Sequence, residues 1–187
     1  MKKASFGLIL LLLTALFVSA EEKSDINKGG KENKNKEALI DTNQIIWYDY
    51  DKGLKLAAEK NRPILINFTT AWCGYCKKMN RSTFADKNVI DILNNGFIGI
   101  KVDGDSQREL DVNGYKVTER NLTRGEYGVG GYPTYWFLKA NAERIGKKAG
   151  YVETDPFLDL LYYVKDELYD KMKFDEYIKN GGHKGNH

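Results

Sequence analysis

Cysteine is scarce in this chain. The 187 residues hold only two, Cys73 and Cys76, within the run Trp72-Cys73-Gly74-Tyr75-Cys76. So few thiols exclude a small fold held by a framework of disulfides. A bridge between these two would close a loop too short to restrain an unfolded chain much, so it would be a weak staple. Histidine is equally scarce: His183 and His187 lie in the last few residues with no third ligand beside them, which argues against a metal centre built on histidine. An excess of charge is missing too. The formal net charge is +3, and removal of the first twenty residues with Lys2 and Lys3 leaves +1. A nearly neutral chain has no electrostatic footprint for nucleic acid or an anionic membrane. Beyond residue 20 no apolar run is long enough to span a bilayer.

The ends suggest a compartment. Lys2 and Lys3 precede an apolar run from Leu8 to Val18, and Val18-Ser19-Ala20 supplies small residues before a charged stretch. This layout predicts a cleaved secretory signal over residues 1–20. Glu21 to Glu37 then mixes five Lys with five acidic residues and a single aliphatic side chain, Ile26. Such a segment cannot offset its ordering entropy by burial, so residues 21–44 read as a flexible charged linker. Residues 45–180 are one domain's worth of chain, and the polar, glycine-rich residues 181–187 read as a disordered tail. An exported protein meets oxidising conditions, where two free thiols pair.

Between these ends helical and strand patterns alternate. Leu54, Ala57 and Ala58 share a helical face that ends near Asn61-Arg62-Pro63. Ile64 to Phe68 is a continuous apolar run, broken only by Asn67, and predicts a buried central strand. A helix start is expected at Cys73, and a second helix over Val89 to Leu93 ends at Asn95-Gly96. Further strands are expected at Phe97–Val102, Tyr135–Leu138 and Lys148–Val152. Asn113-Gly114 signals a hairpin, and residues 118–127 read as helical. The last helix is expected to be capped by Asp155, with Pro156 in its first turn and Phe157, Leu160, Leu161, Val164, Leu168 and Met172 on one face. These elements define an α/β fold of modest size.

Cysteines kept in so weak a staple point to chemistry: thiol–disulfide exchange, metal binding, or an inert bridge. A C-x-x-C pair after a buried strand places its first cysteine at a helix N-terminus. There the outward N–H groups and the positive end of the helix dipole stabilise a thiolate. That lowers a thiol from about 8.5 toward the ~3.5–7.5 range of activated cysteines. Cys73 would attack a substrate disulfide, and the less exposed Cys76 would attack the Cys73 sulfur to release the reduced product. Gly74 and Tyr75 place no cation between the cysteines, which argues against a strong oxidant.

Trp72-Cys73-Gly74-Tyr75-Cys76-Lys77 resembles the active-site motif of the thioredoxin family. Gly131-Tyr132-Pro133-Thr134 is similar to that family's cis-proline loop, and Gly150-Tyr151 to the glycine of its last strand. The resemblance covers Ile45 to Tyr177. It implies a thioredoxin-like fold, with a central mixed β-sheet flanked by helices and an insertion over residues 104–126 before the cis-proline loop. It also implies that Trp72, Gly74, Tyr75, Tyr132, Pro133 and Gly150 contact substrate. Arg62-Pro63-Ile64, Lys77-Lys78-Met79 with Thr83-Phe84, and Ile100-Lys101-Val102-Asp103 resemble an exported subgroup that includes the C-terminal domain of DsbD-type electron carriers and SoxW-like thioredoxins. That subgroup implies a monomeric periplasmic dithiol protein without a cofactor. It would receive electrons from a membrane-embedded donor and reduce protein disulfides in support of cell redox homeostasis.

Two departures stand out. The family's buried aspartate, six residues before the first cysteine, is Asn67 here, and an amide cannot take the proton of Cys76. The family's lysine partner in the next strand falls at Gly99, with Lys101 two residues on. Asn67 and Lys101 are therefore candidate tuning residues. A disulfide isomerase ranks second, because only the linker precedes the domain, and an oxidase third. Outside this class stand a soft-metal module holding Cu(I) through Cys73, Cys76 and Met79, and a non-catalytic binding domain with an inert disulfide.

Overall fold

The computed structural model describes residues 43–185. The expected signal, the linker as far as residue 42, and His187 lie outside them. The elements follow in the order β1 (Trp47–Tyr48), α1 (Tyr50–Lys60), β2 (Ile64–Thr69), α2 (Gly74–Arg81), α3 (Lys87–Gly96), β3 (Ile98–Asp103), β4 (Glu109–Val112), β5 (Tyr115–Thr118), α4 (Glu119–Asn121), β6 (Thr134–Leu138), β7 (Arg144–Ala149), α5 (Thr154–Lys165) and α6 (Phe174–Lys179).

The continuous apolar run of β2 has the burial its pattern requires: all six residues are buried. It lies at the centre of a five-stranded sheet of order β1-β3-β2-β6-β7. It runs parallel to β3 and antiparallel to β6, so the sheet is mixed. Each face has its own core. On one face Ile64, Ile66 and Phe68 pack with Ile100 and Val102 of β3 and with Tyr50 and Ala57 of α1. On the other, Leu65 packs with Met79 of α2, Val89 and Leu93 of α3, and Phe157 and Leu161 of α5. Burying each such side chain contributes roughly 1.5–3 kcal/mol before the ordering entropy is set against it.

The insertion builds core. Asn113 and Gly114 take positive φ values of 55° and 85°, so the β4–β5 turn forms where the Asn-Gly pair signals it. Leu110, Val117 and Leu122 from this segment, with Tyr127 just after it, fill the α1 face of the sheet. The helix expected over residues 118–127 forms over Glu119 to Glu126, as a short α4 followed by a π-turn at Leu122–Glu126, while Thr118 ends β5.

Several expected boundaries are corrected. The buried face of α1 is Tyr50, Gly53 and Ala57, whereas Ala58 is exposed. β1 carries no strand signal of its own, being two residues paired at a sheet edge. β7 ends at Ala149 rather than spanning Lys148–Val152, because Gly150 leaves the strand with φ of 85°. β7 begins at Arg144, ahead of the expected start at Lys148, and the charged Arg144, Lys147 and Lys148 suit an edge strand that must not recruit another chain. α5 starts one residue after Glu153, which replaces Asp155 as its cap, and Pro156 sits in the first turn. Leu158 joins its buried face, and the helix stops before Leu168 because Glu167 turns left-handed, with φ of 53°. The tail expected from residue 181 is tied back as far as residue 185. The His183 N–H donates to Asp159 Oδ1 at 2.8 Å, and Lys184 Nζ donates to Asp155 Oδ2 at 2.5 Å.

Candidate active site

The C-terminal end of β2 delivers the chain to the two cysteines. Cys73 is the N-cap of α2, and its Sγ accepts the Cys76 N–H at 3.0 Å. Cys73 and Cys76 form a disulfide, with their Cα atoms 5.2 Å apart. The sulfur thus sits where orphan helix N–H groups and the positive dipole end favour an anion. Cys73, expected to be the more exposed, is 3% exposed against 4% for Cys76. In the closed bridge each sulfur covers the other, and the Cys73 sulfur also turns back onto the helix terminus.

Around this buried pair stand two of the most exposed large side chains, Trp72 at 68% and Tyr75 at 64%. Trp72 is nonetheless held. Its indole N–H donates to Asp105 Oδ2 at 2.5 Å, and its ring meets that of Tyr132 edge-on at 6.0 Å between centroids. Arg124 pairs with Asp105 at 3.5 Å. The Tyr132–Pro133 peptide bond is cis. Because β2 pairs Phe68 with Thr134, Pro133 is carried to the end of β2 from which the cysteine loop departs. The Gly150 N–H donates to the Pro133 carbonyl at 2.8 Å. A Cβ on Gly150 would meet nothing, so this position asks for glycine through its positive φ. At Gly104 the demand is space, because a Cβ would lie 2.0 Å from the Tyr132 hydroxyl.

Asn67 is 3% exposed, and its Oδ1 has no hydrogen-bond partner among the described residues. It pairs in register with Lys101 on one side and Tyr135 on the other. Its neighbours Ile66 and Phe68, and Lys101's neighbours Ile100 and Val102, point into the α1-side core. Asn67 and Lys101 therefore share the α2-side face. The Tyr135 phenol is pushed up, first by burial and then by Tyr151. Gly99 is a tight place for a lysine: a Cβ there would lie 3.0 Å from the Ile46 carbonyl and 3.2 Å from the Trp47 ring, so these neighbours would have to shift. Met79 is 1% exposed and belongs to the apolar core with Leu65, Leu93 and Phe157.

Beside Cys76 a cleft of about 530 Å³ opens, lined by Thr69, Thr70, Lys101, Asp103 and Glu119 among others. Glu119 is 3% exposed and accepts Arg108 Nη2 at 2.8 Å. The same guanidinium reaches Asp49 at 3.2 Å. It is held above its usual range by the Glu119 hydrogen bond, against a smaller opposing effect of burial. Asp105, Arg124, Gly104 and Glu119 are site residues that sequence patterns did not single out. Asp103-Gly104-Asp105, a turn at a strand end, was the available signal for two of them.

A family model described as a thioredoxin-like domain matches residues 50–165, more than half of the chain. The chain belongs to the thioredoxin-like domain family. Within that family it is 30% identical over 115 residues to the thiol:disulfide interchange protein DsbD of Campylobacter jejuni. That match covers 59% of this chain but only 18% of the DsbD relative. A thioredoxin from Thermus thermophilus is 28% identical with a TM-score of 0.55, over 77% of this chain and 99% of that one. A thioredoxin-fold protein from Helicobacter pylori, 22% identical with a TM-score of 0.57 over 65% of this chain and 80% of that one, shares the fold. Family membership and a C-x-x-C pair closed as a disulfide at a helix N-terminus support protein-disulfide oxidoreductase activity. Among the described residues no helix is long and apolar enough to cross a membrane.

Proposed function

We propose that this protein is an exported thiol–disulfide oxidoreductase that reduces protein disulfides through a Cys73/Cys76 cycle. The observation that carries the reading is the Cys73–Cys76 disulfide at the N-terminus of α2, with the cis Tyr132–Pro133 bond carried to the same end of β2. In the reduced protein the Cys73 thiolate attacks one sulfur of a substrate disulfide. A mixed disulfide forms and one substrate thiolate leaves. Cys76 gives up its proton and attacks the Cys73 sulfur. The pair is then oxidised and the substrate departs as a dithiol. Trp72, Gly74 and Tyr75 on one side, with Tyr132, Pro133 and Gly150 on the other, form the substrate surface. An extended peptide would pair with the Tyr132 backbone, beside the cis-proline.

The reductive direction rests on the residues between the cysteines. Gly74 and Tyr75 offer no cation to hold the thiolate, so the reduced form is not stabilised as it is in strong oxidants. Export to the periplasm rests on the signal-like residues 1–20, and a membrane-embedded electron donor rests on the similarity to DsbD. The expected outcome is that Cys73→Ser abolishes insulin disulfide reduction, whereas Cys76→Ser accumulates mixed disulfides visible on non-reducing gels. Unchanged insulin turnover in the Cys73 variant would remove the proposal.

A further inference from the structure

An amide at position 67 leaves the resolving step without its usual base, and the structure offers a replacement from a different element. We propose that Glu119, supplied by the insertion before the cis-proline loop, accepts the proton of Cys76 through water held in the cleft beside that residue. This rests on the thiol–disulfide cycle proposed above.

Three observations converge. Glu119 and Cys76 line the same cleft of about 530 Å³, room for several waters. The Thr70 hydroxyl, on a residue 4% exposed in the wall of that cleft, has no hydrogen-bond partner among the described residues. A buried hydroxyl costs free energy unless it is paired, so Thr70 is suited to order water there. Finally, Glu119 is the buried carboxylate of the cleft, and Arg108 fixes its position.

The other charged groups facing the cleft fit the role less well. Asp103 Oδ1 accepts the Asp105 N–H at 3.1 Å, and the Asp49 side chain is 43% exposed and shares Arg108. Lys77 and Lys101 are cations and accept no proton while charged.

The step balances. In the mixed disulfide between Cys73 and substrate, the Cys76 S–H proton passes to cleft water as that water gives a proton to Glu119. The Cys76 sulfur attacks the Cys73 sulfur, the Cys73–Cys76 bond forms, and the substrate leaves as a thiolate. Glu119 then returns its proton to solvent through the same cleft. Asn67 stays neutral throughout.

The aromatic disulfide DTNB separates the two steps, because the reduced protein releases one thionitrobenzoate when Cys73 attacks and a second when Cys76 resolves. Glu119→Gln keeps an oxygen for Arg108. It is expected to leave the first phase unchanged and to slow the second at least about tenfold, below the full range of general-base effects because water remains a weaker acceptor. Asn67→Asp added to Glu119→Gln is expected to restore the second phase, which a merely structural role for Glu119 does not predict. In the unmutated protein the second phase should slow in D2O while the first does not, a readout that needs no variant to fold. A second phase unchanged in Glu119→Gln, slowed instead by Asp103→Asn, or insensitive to D2O would overturn the assignment. Absence of the first phase in the unmutated protein would overturn the cycle itself.

Discussion

At the level of single residues, exposure and anchoring are divided among neighbours. The cysteines are buried, while Trp72 is exposed but tethered to Asp105 and leaning on Tyr132. A partner protein therefore meets an indole already held in place and loses less rotamer entropy on binding. Asp105→Ala is expected to lower kcat/KM for insulin about three- to tenfold while changing stability by less than about 1 kcal/mol, since the bond is solvent-accessible. Steady-state kinetics with a denaturation curve checks this, and a variant that loses stability but not catalytic efficiency would contradict the anchoring role. The cysteine pair and Pro133 were legible because their chemistry lies in contiguous motifs. Asp105 lies 33 residues from Trp72 in the chain, and no local pattern joins such residues. Glu119 stayed hidden for the same reason, as one acid among many whose burial only the fold reveals.

At the level of elements, packing overrides local preference in places the sequence does not announce. Gly53 lies within α1, at the end of its first turn, where glycine costs up to about 1 kcal/mol relative to alanine. It is tolerated because a Cβ there would lie 2.3 Å from the Ile100 side chain, so α1 approaches β3 through a missing side chain. Gly53→Ala is therefore expected to destabilise by about 1–3 kcal/mol despite its better helix propensity, because overpacking outweighs the propensity gain. The urea midpoint measures this, and a stabilised variant would show that the contact yields easily. The central strand and the α3 helix were readable because burial on both faces, or on one helical stripe, leaves a periodic signature. β7 was displaced in the reading because its residues answer to a sheet edge. The end of α5 was missed because the left-handed Glu167 is neither glycine nor asparagine.

At the level of the whole molecule, one sheet carries the redox pair and the proline loop at the same end of β2, and the insertion braces that end. Leu110, Val117 and Leu122 fasten the insertion to the core, while Asp105, Arg124 and Glu119 reach the site from it. This added segment thus acts as scaffold, and its Asn-Gly turn and the helical stretch after it were legible in advance, whereas its packing was not. Its apolar residues are too widely spaced to mark one element. The proposed role as a dithiol reductant rests on the absence of a cation between the cysteines, which leaves the reduced form without the stabilisation found in strong oxidants. The reduction potential tests that reading most directly, by equilibrating the protein against a glutathione or thioredoxin redox couple and quantifying the Cys73–Cys76 disulfide. A value near ~ −270 mV is expected of a reductant of this kind, and a value near ~ −120 mV, where the pair would oxidise its partners, would contradict it.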